Sequence, residues 1–357
     1  MNISKHKKKI GIQFCDFAIL RNRFLIGVIL CCFLFNSVSS QDLHFSQFFK
    51  SPLSTNPANT GFIPDADYRL GIQYRKQFSN IMSSPYKTFS VFGDAQLFRN
   101  LFENGWMGLG GLLLNDVAGA GSLQSTKLYG SLAYHQMIAN SSLISGGFNL
   151  GYVSKRIDPS KLKFPDQFDG KFFDNSLPTN VVLSNTSVSY FDLQAGINYA
   201  YFPTENVYFN VGYSIHHVNQ PRESFFNDQS DEGKLSVRHI AFINGIFKVG
   251  KRVILEPNIF YTNQTKASSL VGGLLLNYNL SEFGENELIA GLYYRNQDAI
   301  IPMLGLKYKQ IKIVLSYDAT VSPLNNFNNA AGANELSIIN SGFYRDHSDR
   351  QTICPRF

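Results

Sequence analysis

The chain has 357 residues, 44% hydrophobic, 16% charged and 14% aromatic, with a mean hydropathy of −0.11. It is too apolar for a disordered chain and too polar for a bundle of membrane helices. The formal charge of +6 is misleading, because Lys5, Lys7, Lys8, Lys9, Arg21 and Arg23 lie in the first forty residues against one acid, Asp16. The rest is nearly neutral, which removes the clustered basic surface that a nucleic-acid partner needs.

In chain order, the first feature is the apolar stretch 24–35, FLIGVILCCFLF, which follows Arg21 and Arg23 and precedes the small-residue run 36–40. A basic lead, a short apolar core and small residues at Val38 and Ser40 predict a secretory signal peptide over 1–40, cleaved before Gln41. The alternative, a membrane anchor, meets a stretch well short of the ~20 residues that a spanning helix needs. Cleavage leaves Cys354 as the sole thiol, so no internal disulfide is expected.

Residues 41–67 lack clean alternation, and their Asn56-Pro57 turn predicts a segment folded against or into the body that follows. From residue 68 onward period two dominates. Tyr68, Leu70, Ile72 and Tyr74 alternate with Arg69, Gly71, Gln73 and Arg75; Phe191, Leu193, Ala195, Ile197, Tyr199 and Tyr201 alternate with Asp192, Gln194, Gly196 and Asn198. The strip Val207, Phe209, Val211, Tyr213, Ile215 repeats the pattern, as does Ile311, Ile313, Leu315, Tyr317. Fourteen strands are predicted, at 68–78, 86–97, 105–115, 122–138, 142–156, 188–202, 206–218, 234–250, 253–264, 266–279, 286–296, 298–308, 311–320 and 333–344. Most reach the ~9–11 residues that a tilted strand needs to cross a bilayer, whereas soluble strands cluster near five or six.

The longest connections are the fifth (157–187), the seventh (219–233) and the thirteenth (321–332), while several even-numbered ones are tight, although the ninth and eleventh are short too. An up-and-down barrel with long outer loops and short periplasmic turns predicts that segregation. The expected fold is therefore an all-β transmembrane antiparallel barrel of about 14 strands, with a soluble sandwich or propeller as the competing architecture. Lipid offers no hydrogen-bond partners, so such a sheet must close on itself. The apolar rows face lipid, and Arg69, Arg75, Asp94, Asp192, Glu256, Lys312 and Asp318 are candidate lumen-lining residues. In the fifth connection Phe164, Phe168, Phe172 and Phe173 alternate with Asp166, Asp169 and Asp174, and Phe225 and Phe226 lie in the seventh. These six phenylalanines are candidate partner-contact residues. Calcium binding by the aspartates is the alternative, though no recognised ligand spacing is present.

No catalytic or metal motif emerges. H-E-x-x-H and Cys/His clusters are absent, and His216-His217, read as strand neighbours, point to opposite faces. The run Gly105–Gly111 lies in a strand pattern without a following helix, which fits a close approach along a barrel wall rather than a phosphate loop. A lipolytic barrel built on His135 or His239 with a nearby serine is a third reading, set against plain polar lining of the lumen by these histidines; it has no nucleophile-elbow motif. No catalytic residue, cofactor or metal is assigned.

Two regions carry a family resemblance. Near the start are Gln41-Asp42-Leu43-His44-Phe45-Ser46-Gln47-Phe48, Asn56-Pro57-Ala58-Asn59-Thr60-Gly61 and Tyr74-Arg75-Lys76-Gln77. Near the end are Tyr294-Arg295-Asn296-Gln297-Asp298-Ala299-Ile300-Ile301-Pro302, Ser316-Tyr317-Asp318, Gly332-Ala333-Asn334-Glu335-Leu336-Ser337-Ile338 and Cys354-Pro355-Arg356-Phe357. Together these resemble the PorP/SprF family of the Bacteroidetes type IX secretion system. The resemblance implies a non-enzymatic outer-membrane barrel working with secretion and gliding machinery proteins, in some members helping a large secreted adhesin reach or stay on the cell surface. It implies outer-membrane lipid as surroundings and no nucleic-acid partner. The expected organisation is a signal peptide (1–40), an N-terminal segment that plugs the lumen (41–67), the barrel (68–344) and a periplasmic tail (345–357). The competing function is a passive or substrate-specific outer-membrane channel.

Overall fold

The structure, a computed structural model, describes residues 45–64, 66–119, 122–162, 164–174, 176–181, 185–226, 233–281 and 285–344. The signal peptide expected at 1–40, the tail expected at 345–357 and Cys354 lie outside the described residues. Fourteen strands form the wall: β1 (Tyr68–Gln77), β2 (Tyr86–Phe102), β3 (Gly105–Ala118), β4 (Leu123–Ala139), β5 (Ser142–Arg156), β6 (Ser187–Thr204) and β7 (Val207–His216). They continue as β8 (Arg238–Val249), β9 (Val253–Gln264), β10 (Ala267–Asn279), β11 (Asn286–Arg295), β12 (Ala299–Tyr308), β13 (Ile311–Thr320) and β14 (Ala331–Gly342). Each pairs antiparallel with its chain neighbours, and β1 pairs with β14, closing the barrel at a seam where Arg75 stands opposite Glu335. Closure leaves no strand edge unpaired, the condition for a sheet in hydrocarbon. No helix among the described residues is long and apolar enough to cross a membrane.

The alternation fixes the register. In β6, Phe191, Leu193 and Ile197 are exposed while Asp192, Gln194 and Asn198 are buried; β1, β7 and β13 divide the same way. A one-residue slip would turn every outer side chain inward, so a wall with one oily face tolerates no ambiguity. Exposed tyrosines gather at both rims: Tyr74, Tyr152, Tyr213, Tyr261, Tyr294 and Tyr317 towards the long loops, and Tyr134, Tyr199, Tyr201, Tyr278 and Tyr308 towards the short turns. Two aromatic girdles around an apolar band are the signature of a wall immersed in lipid.

Three local departures have physical causes. Strand β8 starts at Arg238 rather than 234, because Lys234 bridges to Arg222 and Leu235 bonds the Pro221 carbonyl inside the preceding loop. Strand β2 continues past 97 to Phe102 through a register shift between Leu97 and Phe102, where Phe98 takes a positive φ of 56°. Finally, β7 ends at His216, and His217 adopts a left-handed backbone with φ 58°. That turn swings the second ring back inside, so both histidines are buried rather than facing opposite ways.

Candidate functional site

The lumen is occupied by the N-terminal segment. Short helical turns at Phe48–Lys50, Pro52–Thr55 and Pro57–Asn59 fold it compactly, the second and third starting at prolines whose missing N–H costs nothing at a first helical position. Asn56 caps the third turn by accepting from the Ala58 N–H, while its amide donates to the Ile197 carbonyl of β6 at 2.9 Å. Leu53, Ala58, Phe45 and Phe48 are all buried. The segment descends from Ser46, beside the ends of β1, β11 and β13 that lead into odd-numbered connections, to Asp67 at the opposite rim.

At its upper end a charged clasp holds it. The Ser46 and Gln47 N–H groups donate to the two Glu335 carboxylate oxygens at 2.9 and 3.0 Å. The Ser46 hydroxyl donates to Asp318 at 2.8 Å and accepts from Arg75 at 2.6 Å and from Arg295. Arg75 also bonds Asp318 at 2.9 Å and Glu335 at 3.0 Å, and Arg295 bonds Asp318 at 2.9 Å. Two guanidinium forks thus face two carboxylates around one serine, so a buried cluster of four charges is neutral and multiply bonded. The side chain of Gln47 extends the grip by donating to Ser316 at 3.0 Å and accepting from Ser337 at 2.6 Å. Ser46, Gln47, Arg75, Arg295, Asp318 and Glu335 come from five of the short motifs scattered over both ends of the sequence. The fold gathers them at one place.

Lower down, the segment lies directly on the wall. A Cβ on Gly108 would overlap the Thr60 carbonyl, one on Gly196 would overlap the Asn56 amide, and one on Gly147 would come within 2.6 Å of the Pro57 carbonyl. Backbone reaches the sheet only because these positions have no side chain. The Trp106 indole N–H donates to the Gly61 carbonyl at 3.0 Å, and Asp94 accepts from the Gly61 N–H at 2.8 Å. A carbonyl can only accept, so His135 Nε2 donates to Thr60 at 2.8 Å and its Nδ1 accepts from Ser145 at 2.7 Å. Both ring nitrogens are thereby engaged in a buried pair that fastens the segment. His239, in contrast, lies on the outer face and bonds Tyr213 at 2.7 Å.

Every lumen candidate named from sequence belongs to an inward row. Arg69 makes a two-pronged contact with Asp94 at 3.0 and 2.7 Å, and Arg75 and Asp318 belong to the clasp. Asp192 accepts from the Tyr129 hydroxyl at 2.7 Å and meets His217 Nδ1 at 2.9 Å. Glu256 accepts from Asn277, and Lys312 borders a cavity near the short-turn rim. His135 lines the lumen as the sequence suggests, whereas Gln47 and Glu335 are not among the lumen residues read from the sequence, although glycines at 108, 147 and 196, each in an inward row, are a signal that something lies against the wall.

At the far rim, Phe168, Phe172, Phe173 and Phe226 are exposed, Phe172 at 71%, while Phe164 and Phe225 are half-buried. The Asn185 N–H donates to the Phe225 carbonyl at 3.1 Å, joining the fifth and seventh connections, and Lys155 and Tyr190 hold Glu223 at 2.5 Å each. The loop aspartates serve the loop itself: Asp166 accepts from Asn180 N–H and Thr179, and Asp169 from the N–H groups of Lys171 and Phe172. These N–H donors hold both carboxyls below the usual carboxylate range. Among the described residues no group of His, Cys, Asp or Glu is arranged to hold a metal ion.

The chain is similar to a Pseudomonas aeruginosa FadL homologue with 10% identity and a TM-score of 0.50, covering 81% of this chain and 94% of that one. The Pseudomonas putida toluene transporter TodX follows at 11% identity and a TM-score of 0.47, with 81% and 91% covered, and the CymD monoaromatic hydrocarbon channel at 10% and 0.47, with 83% and 94% covered. At such identities the likeness concerns the fold alone. No curated protein sequence matches the chain. A family model described as type IX secretion system membrane protein PorP/SprF matches residues 37–339.

Proposed function

Since the chain belongs to the PorP/SprF family of type IX secretion membrane proteins, we propose that it is a closed, non-enzymatic outer-membrane component of that machinery, which holds protein partners instead of conducting solute. The observation that carries this reading is the segment 45–67, bonded to strands on opposite sides of the lumen, from Glu335 and Asp318 to Ile197 and Ser131. A passive pore needs a continuous aqueous path, and buried Leu53, Phe48 and Ala58 stand across it. Partners then meet the rims. Joined long loops presenting Phe168, Phe172, Phe173 and Phe226, with Phe164 and Phe225 beneath, suit a secreted surface protein such as a large adhesin. Export with removal of residues 1–40 and a periplasmic position for the short turns complete the proposal.

The test is conductance in planar bilayers, paired with co-purification. The intact protein is expected to be electrically silent and to bring secretion or gliding proteins with it, and deleting residues 42–60 is expected to open a steady pore. Equal, wide-open conductance before and after the deletion rejects the closed barrel. The competing reading, a solute channel, draws support from the hollow left below the segment at the short-turn rim, and steady conductance of the intact protein would favour it.

A further inference from the structure

The segment does not fill the barrel evenly. Between its underside and β1, β12, β13 and β14 lies a cavity of about 880 Å³ that reaches the short-turn rim at Glu285, Lys309 and Gln310. Phe49, Lys50 and Pro64 form its roof and also border a smaller cavity of about 180 Å³ against Glu256 and Asn258. Five cations border the larger space: Lys50, Arg69, Lys307, Lys309 and Lys312. Arg69 is answered within the wall by Asp94, and Lys307 by Glu287 at 2.6 Å. Lys50 is not. It is 7% exposed, its ammonium sits 5.0 Å from the ring of its neighbour Phe49, and among the described residues its side chain makes no hydrogen bond or ion pair. Glu256 and Glu287 act on it only through space. A buried ammonium without a bonded partner is costly, and proteins normally place a carboxylate against it or replace it with an apolar side chain. Apolar walls at Phe49, Ile63 and Ile339 flank the charges.

We propose that this vestibule is a binding site for an acidic, partly apolar peptide segment of a protein partner, which enters from the short-turn rim. Its carboxylate meets Lys50 and Lys312, and its apolar side chains lie against Phe49, Ile63 and Ile339. A space of this volume admits several extended residues, and the clasp above closes the far end, so the segment is held in a blind recess and is not passed through. Charge-assisted bonds in a recess shielded from water are stronger than the same bonds on a surface. The site goes beyond the closed-barrel reading and depends only on the roof formed by residues 49–64.

The experiment titrates the purified, folded full-length barrel in detergent with a labelled heptapeptide of alternating Glu and Leu. The same peptide with Gln in place of Glu, and inorganic phosphate, serve as comparison probes. The acidic peptide is expected to bind at least about tenfold more tightly than its Gln counterpart, and millimolar phosphate is expected not to displace it. Lys50→Met is expected to lower the affinity by about tenfold or more while leaving the barrel's heat-modifiable mobility on gels intact; Lys312→Gln, at the rim, gives a second and smaller loss. Equal binding of the two peptides, displacement by phosphate, or an unchanged affinity in folded Lys50→Met overturns the site. A barrel that ignores the peptide yet stays silent in bilayers loses the vestibule and keeps its closed lumen, so the two proposals fail separately.

Discussion

The two ends of the lumen use the same kinds of side chain to opposite effect. Towards the long loops, Arg75 and Arg295 face Asp318 and Glu335, each within hydrogen-bond reach of an opposite charge or of Ser46. Towards the short turns, Lys50 is just as buried and has no such answer. A cluster whose four charges face one another is a fastener, although Arg295 Nε and Asp318 Oδ1 have no hydrogen-bond partner among the described residues. An unanswered charge beside a cavity attracts an anion. Burial alone therefore does not distinguish structure from function inside a barrel; the bonding state does.

The largest expected effect comes from breaking the clasp. Glu335→Gln leaves Arg75 short of a charge and weakens both backbone bonds at Ser46 and Gln47, at a cost of about 3–5 kcal/mol, read by urea unfolding in detergent. A midpoint equal to the parent's would mean that the four charges contribute nothing as a unit. Next is the glycine seat. Gly108→Val places methyl groups where the Thr60 carbonyl lies, costing about 1–3 kcal/mol through overpacking and dislodging the segment, so single-channel conductance should appear. Gly130→Val is the control, because a Cβ there meets nothing within 4 Å; channels in both variants would break the claim that the seat matters.

Lys50→Met sharpens the comparison from the other side. Removing an unanswered buried charge should leave the unfolding midpoint unchanged or raise it, within about 1 kcal/mol, where Arg75→Met should lower it. The smallest effect belongs to the long loop, whose aspartates Asp166 and Asp169 bond within the loop itself. Asp166 and Asp169 are held below the usual carboxylate range by backbone N–H groups. A depressed folded pKa stabilises above the unfolded value of about 4 and is lost as pH falls through the lower folded one. Pepsin cleavage within 157–186 should rise as pH falls through that window.

Much of the wall was legible in the sequence because a half-buried strand writes its own period. Phe191 to Tyr201 out and Asp192 to Asn198 in is a statement about one strand, and it needs no knowledge of the neighbours. The clasp is different. Arg75 and Glu335 become cross-strand partners only through closure of β1 on β14, and no local pattern states which residues the seam brings together. The conformation of His217 escaped for a related reason, since a left-handed residue ends the alternation without any glycine or proline to announce it. The vestibule was illegible altogether, because it is the space that the segment leaves over on one side.

The clasp also orders events in time. Ser46 and Glu335 are separated by 289 positions, and their bond waits on the last strand, since loop-closure entropy delays contacts between distant parts of a chain. Barrels arrested before β14 pairs with β1 would carry a loose leading segment, and only a finished cylinder can seat it. Protection of residues 45–50 from protease is thus a report of completed biogenesis, written in the segment that precedes the first strand.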